Sequence, residues 1–164
     1  MRRDVQAARR MPVASCESRL GIGPLVVRAD DELLAVAHRA AAQPATRVVG
    51  VVDADERLIG ILPVLRIVED VIARVDPEAL LAGITEIEDV ARFSHAVEAR
   101  TARDAMLPPA SIRPESTIGE AFREMRRRRL SGLYVVDADR RVTGYLDLLE
   151  LALVYVDALE GTDG

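Results

Sequence analysis

The sequence predicts an α+β protein built from two pseudo-symmetric β-α-β-β-α units packed as one module, with a helical insert between them. Three observations lead there. Residues 51–62 return as residues 135–146, a shift of 84 without a gap. Val51, Val52, Asp53, Ala54, Asp55, Arg57, Gly60 and Leu62 meet identical residues, which is eight of the twelve positions. Around each copy a helical period of apolar residues is followed by two short apolar runs joined by turn residues. A unit of about 50 residues is marginal alone, and two can share one core.

The elements follow in chain order. Residues 1–21 carry Arg2, Arg3, Arg9 and Arg10 with no apolar run behind them, so they read as a loosely held segment without a signal peptide. The first unit covers residues 22–75. It opens with a short strand at 24–28 and a helix at 31–43. Strands at 48–52 and 58–62 flank Asp53, Ala54, Asp55 and Glu56, which are turn formers. A closing helix starts at Pro63, where the fixed φ of proline suits a first turn, and runs to about residue 73.

Residues 76–100 form the insert. Asp76, Pro77 and Glu78 open a helix, and Gly83 breaks it. Thr85 and Glu88 have the spacing of a capping box. Ile87, Val90, Ala91, Phe93 and Val97 then make an amphipathic stripe. Two readings of that stripe stand: it packs on its own module, or it meets a second protomer or another protein.

The second unit covers residues 101–160. A short strand at 110–113 precedes a helix at 118–128, which Thr117 and Glu120 cap as a box. Strands at 133–136 and 142–146 enclose Asp137, Ala138, Asp139 and Arg140, and a closing helix runs from 147 to about 159. Val27-Arg28 matches Ile112-Arg113 only at a shift of 85, so the first unit holds one extra residue between 30 and 34.

Composition excludes several classes. Apolar residues make up 49% of the 164 and aromatics 3%, so the core must be aliphatic. Twenty-two basic and 27 acidic residues are interspersed for a net charge of −5, which argues against a dedicated nucleic-acid binder. The single cysteine, Cys16, cannot form an internal disulfide, and a cytoplasmic location follows as the expectation. Cys16 has no activating neighbour, which speaks against catalysis. His38 and His95 are far apart and lack metal-ligand spacing, so both read as structural. No serine has a base partner and there is no phosphate-binding glycine loop, so an enzyme is not expected and no catalytic or metal residue is assigned.

The second unit resembles a cystathionine-β-synthase (CBS) motif. The resemblance rests on Thr101-Ala-Arg-Asp-Ala-Met106, Ile118-Gly-Glu-Ala121, Met125, Leu133-Tyr-Val-Val-Asp137 and Gly144-Tyr-Leu-Asp-Leu-Leu-Glu150. Ala37, residues 49–53 and residues 60–62 give a weaker first copy. The chain therefore resembles a stand-alone tandem CBS pair, or Bateman module. That resemblance implies a regulatory module that binds an adenosyl compound (AMP, ADP, ATP, adenosine or S-adenosylmethionine) in a cleft between the motifs. It also implies a homodimer and no required cofactor; no membrane is expected, because no apolar run approaches the roughly 18–20 residues needed to span one. An unidentified regulated protein is a further expected partner. By the same resemblance Ile112 is a ligand-binding residue, Gly132, Leu133 and Tyr134 offer backbone to the base, and Asp147 and Glu150 face the sugar. The alternative is a nucleotide-free dimeric interaction scaffold.

Both copies depart from the family pattern Gly-x-x-Ser/Thr-x-x-Asp. The first reads Gly60-Ile-Leu-Pro63-Val-Leu-Arg66. Proline has no side-chain donor and arginine cannot accept a ribose hydroxyl, so the usual ribose site is lost there. Arg66 reads either as a solvated helical residue or as a phosphate contact. The second reads Gly144-Tyr-Leu-Asp147-Leu-Leu-Glu150. Two carboxylates three residues apart share one side of the first helical turn and should repel a phosphate. They suit a nucleoside, a cationic ligand, or a metal-bridged phosphate. They equally suit a helix cap with an acidic third position. The run Arg126 to Arg129 complements a helix C-terminus, or else meets a phosphate or an acidic partner.

Overall fold

The computed structural model describes residues 2–82 and 86–161. Each repeat has the same five elements. In the first, β1 (Val26–Arg28), α2 (Leu33–Ala42), β2 (Val48–Val52), β3 (Leu58–Pro63) and α3 (Val64–Val75) follow an N-terminal helix α1 (Arg2–Arg9) and two 3-10 turns. The insert holds α4 (Pro77–Leu81) and α5 (Ile87–Glu98), and a short α6 (Ala102–Ala105) leads into the second repeat. There β4 (Ser111–Ile112), α7 (Ile118–Arg128), β5 (Gly132–Val136), β6 (Val142–Asp147) and α8 (Leu148–Glu160) repeat the order.

Each repeat forms a three-stranded sheet, β1-β2-β3 or β4-β5-β6. In both the first pair is parallel and the second antiparallel, with a bulge at the same place, Val51/Val52 and Val135/Val136. The Asp-Ala-Asp turns explain this. Asp53 Oδ1 accepts from the amides of Asp55 and Arg57, and Asp137 Oδ1 from those of Asp139 and Arg141. The fourth turn residue, Glu56 or Arg140, takes a left-handed φ of 65° or 64°. The side-chain bonds from the first aspartate hold a backbone that β-formers would avoid.

The repeats meet across an approximate twofold axis. Arg57 and Arg141, equivalent positions, pair in an antiparallel bridge, and the Leu58 amide donates to the Arg140 carbonyl. Val48, Leu58 and Ile61 of the first repeat join one core with Leu133, Tyr134, Leu146 and Leu151 of the second. Tyr134 is the largest fully buried side chain. Its equivalent in the first repeat is Gly50, and the Tyr134 ring fills the space that glycine leaves. A Cβ on Gly50 would lie 2.9 Å from Tyr134 Cζ.

The N-terminal segment corrects one expectation. Residues 1–21 read as loosely held, yet Val13 and Cys16 are fully buried in the shared core. The reason is backbone pairing. Ile118 N donates to Met11 O, Val13 N to Ser116 O, and Ala14 N to Pro114 O. The linker before the second repeat makes the same bonds to the first: Leu33 N to Arg100 O, Ala102 N to Asp31 O, and Arg103 N to Ala29 O. Residues 11–14 are thus the counterpart of residues 100–103.

The insert also differs in detail. Thr85 lies outside the described residues, and α5 is capped instead by Glu86, with Asp89 closing the box. The stripe is not buried against the module. Ile87 is 89% exposed and Val90 49%, Ala91 is exposed, Phe93 and Val97 are half-buried, and Ala96 is the buried residue of α5. A polar contact also holds α5. His95 Nε2 lies 2.6 Å from the Asp104 carbonyl, so that nitrogen carries the hydrogen. No described helix is long and apolar enough to cross a membrane.

Candidate functional site

The end of β6 and the first turn of α8 bring Gly132, Asp147 and Glu150 together. Gly132 and Asp147 are cross-strand partners, and the Leu148 amide donates to Ser131 O. Asp147 is the N-cap of α8: Oδ2 accepts from the amides of Leu149 at 3.0 Å and Glu150 at 3.2 Å. Two of the four orphan amides of a helix start are satisfied in this way. Asp147 is only 2% exposed, and its Oδ1 takes a 2.9 Å ion pair from Arg47 of the first repeat. Arg47 therefore neutralises the carboxylate that the sequence set against a phosphate. Nothing local in the sequence signals the pair, whose members stand 100 residues apart.

Glu150 behaves differently. It does not close a box with Asp147. Its Oε1 accepts from the amides of Gly21 at 2.8 Å and Ile22 at 3.2 Å, and its Oε2 from Ile22 at 3.1 Å. The oxygens that would meet sugar hydroxyls are held by main-chain N–H groups of the segment entering β1.

The other expected residues sit deeper. Ile112, Leu133 and Tyr134 belong to the core. The Tyr134 hydroxyl crosses to the first repeat, donating between Leu25 O at 2.9 Å and Val48 O at 2.8 Å and accepting from Leu25 N at 3.3 Å. Burial pushes its ionisation far above the ordinary tyrosine range. Gly132 is roofed by Tyr145, because a Cβ there would lie 1.9 Å from the Tyr145 hydroxyl. That hydroxyl is buried without a hydrogen-bond partner among the described residues, though the amides of Val48 and Arg47 face it. Burial, with the nearby Asp147 carboxylate, leaves it pushed up to about 12.

The equivalent cleft of the first repeat is closed. Pro63 ends β3 and stands at the N-cap of α3 without a side-chain bond. Arg66, which read as solvated or phosphate-facing, donates from Nε to Ala105 O at 2.6 Å. A Cβ on Gly60 would meet Met106 Sδ at 2.4 Å, and Leu107 pairs with Ile61. Beneath lies Asp70, 3% exposed, with Oδ2 unpartnered among the described residues. Burial raises its carboxyl above the ordinary range against the opposing pull of Arg66 and His95.

The Arg126–Arg129 run is partly spent on structure. Arg127 pairs with Glu124, Arg128 donates to the carbonyls of Pro108 and Pro109, and Arg129 takes the left-handed C-cap of α7. Cys16 is buried with its thiol 3.4 Å from the Met11 sulfur, and burial pushes the thiol up, away from a reactive thiolate.

Repeat and fold agree with what the comparisons find. Residues 102–157 match the family model of the CBS domain. The second repeat is thus similar to a CBS domain, and the chain has the fold of a tandem CBS pair. A CBS domain-containing protein from Thermotoga maritima superposes with a TM-score of 0.70 at 22% identity, covering 88% of this chain and 94% of that one. The CBS domain pair of protein MJ0100, in complex with 5′-methylthioadenosine and S-adenosyl-L-methionine, gives 0.65 at 16%, covering 90% and 97%. CBSX2, a CBS-pair protein from Arabidopsis thaliana, was solved in complex with AMP and gives 0.63 at 15%, covering 90% and 97%. No curated protein matches the sequence.

Proposed function

We propose that this chain is a regulatory, non-catalytic module that binds an adenosyl compound in the cleft at the start of α8. The observation that carries the reading is Glu150, a carboxylate in the first turn of α8 beside Gly132 and the Arg47–Asp147 pair. A carboxylate there can accept both hydroxyls of a ribose. Two proteins of the same fold were solved with AMP or with S-adenosylmethionine and methylthioadenosine, which supports an adenosyl class. The first cleft is occupied by Met106 and the Arg66–Ala105 bond, so the second is the candidate.

The test is a thermal-shift panel of AMP, ADP, ATP, adenosine, S-adenosylmethionine and NAD, with Glu150→Ala beside the parent. A compound at a hundred times its Kd should stabilise by about 2.7 kcal/mol. The expected result is stabilisation by one compound and its loss in Glu150→Ala. Stabilisation that survives the substitution would move the site elsewhere.

A second reading has its own observation. Leu65 on α3 and Leu149 on α8 are equivalent at a shift of 84, and they are 78% and 62% exposed. Val68 and Val75 on α3 and Leu153 and Val156 on α8 extend the two apolar faces. We propose that a second copy covers them. A nucleotide-free dimeric scaffold acting on an unidentified partner protein would need only this surface. It predicts a dimer in sedimentation that Leu65→Glu with Leu149→Glu separates, and no response to any nucleotide.

A further inference from the structure

The segment before β1 is longer than its counterpart before β4. Ala14 is equivalent to Arg103, a shift of 89, from the backbone bonds to Pro114 and Ala29. Val26 is equivalent to Ser111, a shift of 85, from their partners Gly50 and Tyr134. The difference, 89 minus 85, leaves four extra residues between those points. They build the second 3-10 turn, Glu17–Arg19, and the extended stretch after it. In the first repeat the shorter linker runs straight onto β3 through Leu107 and Ile61. In the second the longer one detours over the start of α8 and delivers the Gly21 and Ile22 amides to Glu150.

We infer that residues 17–22 are a strap that closes the second cleft and must leave Glu150 before a ribose can reach it, so ligand binding and strap release are coupled. This rests on the reading that the second cleft is the adenosyl site. The competition is direct. The Gly21 and Ile22 amides make three contacts to Glu150 and use three of the roughly four acceptor sites of a carboxylate, so two sugar hydroxyls cannot both be accepted while the strap is in place.

The anchoring pattern fits a part that moves between fixed ends. Upstream, Val13 and Cys16 are fully buried and backbone-bonded. Downstream, Thr46 Oγ1 donates to Gly23 O at 2.7 Å and β1 joins its sheet. Between them Glu17, Ser18, Arg19 and Gly21 are exposed. Apart from the Glu150 bonds, the strap is held by the exposed Arg19–Asp157 pair at 3.3 Å, which contributes little, and by Leu20 and Ile22, half-buried against the shared core. Glu150 is the latch.

Gly21→Pro tests the inference on the full chain. It deletes the 2.8 Å donor, and its ring meets Glu150 Oε1, which already lies 3.3 Å from a Cβ built at Gly21. Leu20 has φ −98° and ψ 128°, the conformation a residue before proline prefers, so the preceding residue accepts the change. AMP and S-adenosylmethionine are titrated into parent and variant by calorimetry. Amide exchange at Gly21 and Ile22 is followed in the parent with and without each compound. The expected result is about tenfold tighter binding by the variant, and faster exchange at both amides when the parent is saturated. Equal affinity, with both amides still protected in the saturated parent, would overturn the strap and leave the adenosyl reading standing. Binding to neither protein would overturn the adenosyl reading and the gate with it. Should Gly21→Pro fail to fold, exchange in the parent decides alone.

Discussion

Tyr134→Phe removes one oxygen atom from the seam between the repeats, and its cost can be worked from the contacts. The hydroxyl has one proton to give, shared between Leu25 O at 2.9 Å and Val48 O at 2.8 Å, and it accepts from Leu25 N at 3.3 Å. It makes two bonds at any moment, one strong and one long. A net of about 0.5–1.5 kcal/mol per bond gives about 2 kcal/mol, with the Leu25 amide left buried and unpaired. Leu25 O keeps a second donor in the Gly50 amide, which holds the estimate at that level. For a chain of this size that is a fall in Tm of about 4–8 °C. The phenyl ring keeps its packing over Gly50, so Tyr134→Leu should cost more. Calorimetry and urea unfolding of parent and both variants would measure it. A Tyr134→Phe loss below about 0.5 kcal/mol would refute the claim that this hydroxyl ties the repeats together.

Further outcomes follow from other contacts. Gly132→Ala should destabilise by more than about 2 kcal/mol in chemical denaturation, because its Cβ cannot share space with the Tyr145 hydroxyl. Asp147→Ala should cost about 2–4 kcal/mol, since it removes the α8 cap and leaves Arg47 without its partner. Asp147→Asn should recover part of that loss if capping dominates over the ion pair. Asp70 has a folded pKa raised above its unfolded value, so its ionised form opposes folding at neutral pH. That penalty is relieved as pH falls through the raised pKa toward the ordinary aspartate value. Asp70→Asn should therefore raise Tm at pH 7, and the gain should shrink on acidification; a gain independent of pH would remove Asp70 from the account.

The parts of this protein written in short stretches were legible in the chain. Asp53 and Asp137 bond amides two and four residues ahead, so each turn is a local consequence of its own sequence, and the repeat of the turn announced the repeat of the unit. The Thr117–Glu120 box and the apolar runs of β2 and β5 are local in the same way. The equivalence of residues 11–14 to residues 100–103 is carried by main-chain bonds, which leave little trace in side-chain identity. Val13 faces Ala102 in that match, and Cys16 faces Ala105; each pair shares only an apolar character.

Glu150 and Asp147 could be picked out as residues, but not with their partners. Asp147 was neutralised by an arginine 100 residues away, and Glu150 was latched by amides 128 and 129 residues away. An amide donor has no residue type, so no motif can name it. Side-chain type and spacing determined the α+β repeat, the turns, the caps and the position of a carboxylate in the first turn of α8. Tertiary structure alone decided that the first cleft is filled, that the second is strapped, and that Ile87, Val90 and Ala91 of the α5 stripe stay exposed. Those outcomes depend on which distant surfaces the chain brings into contact, and contact across a fold follows packing rather than spacing.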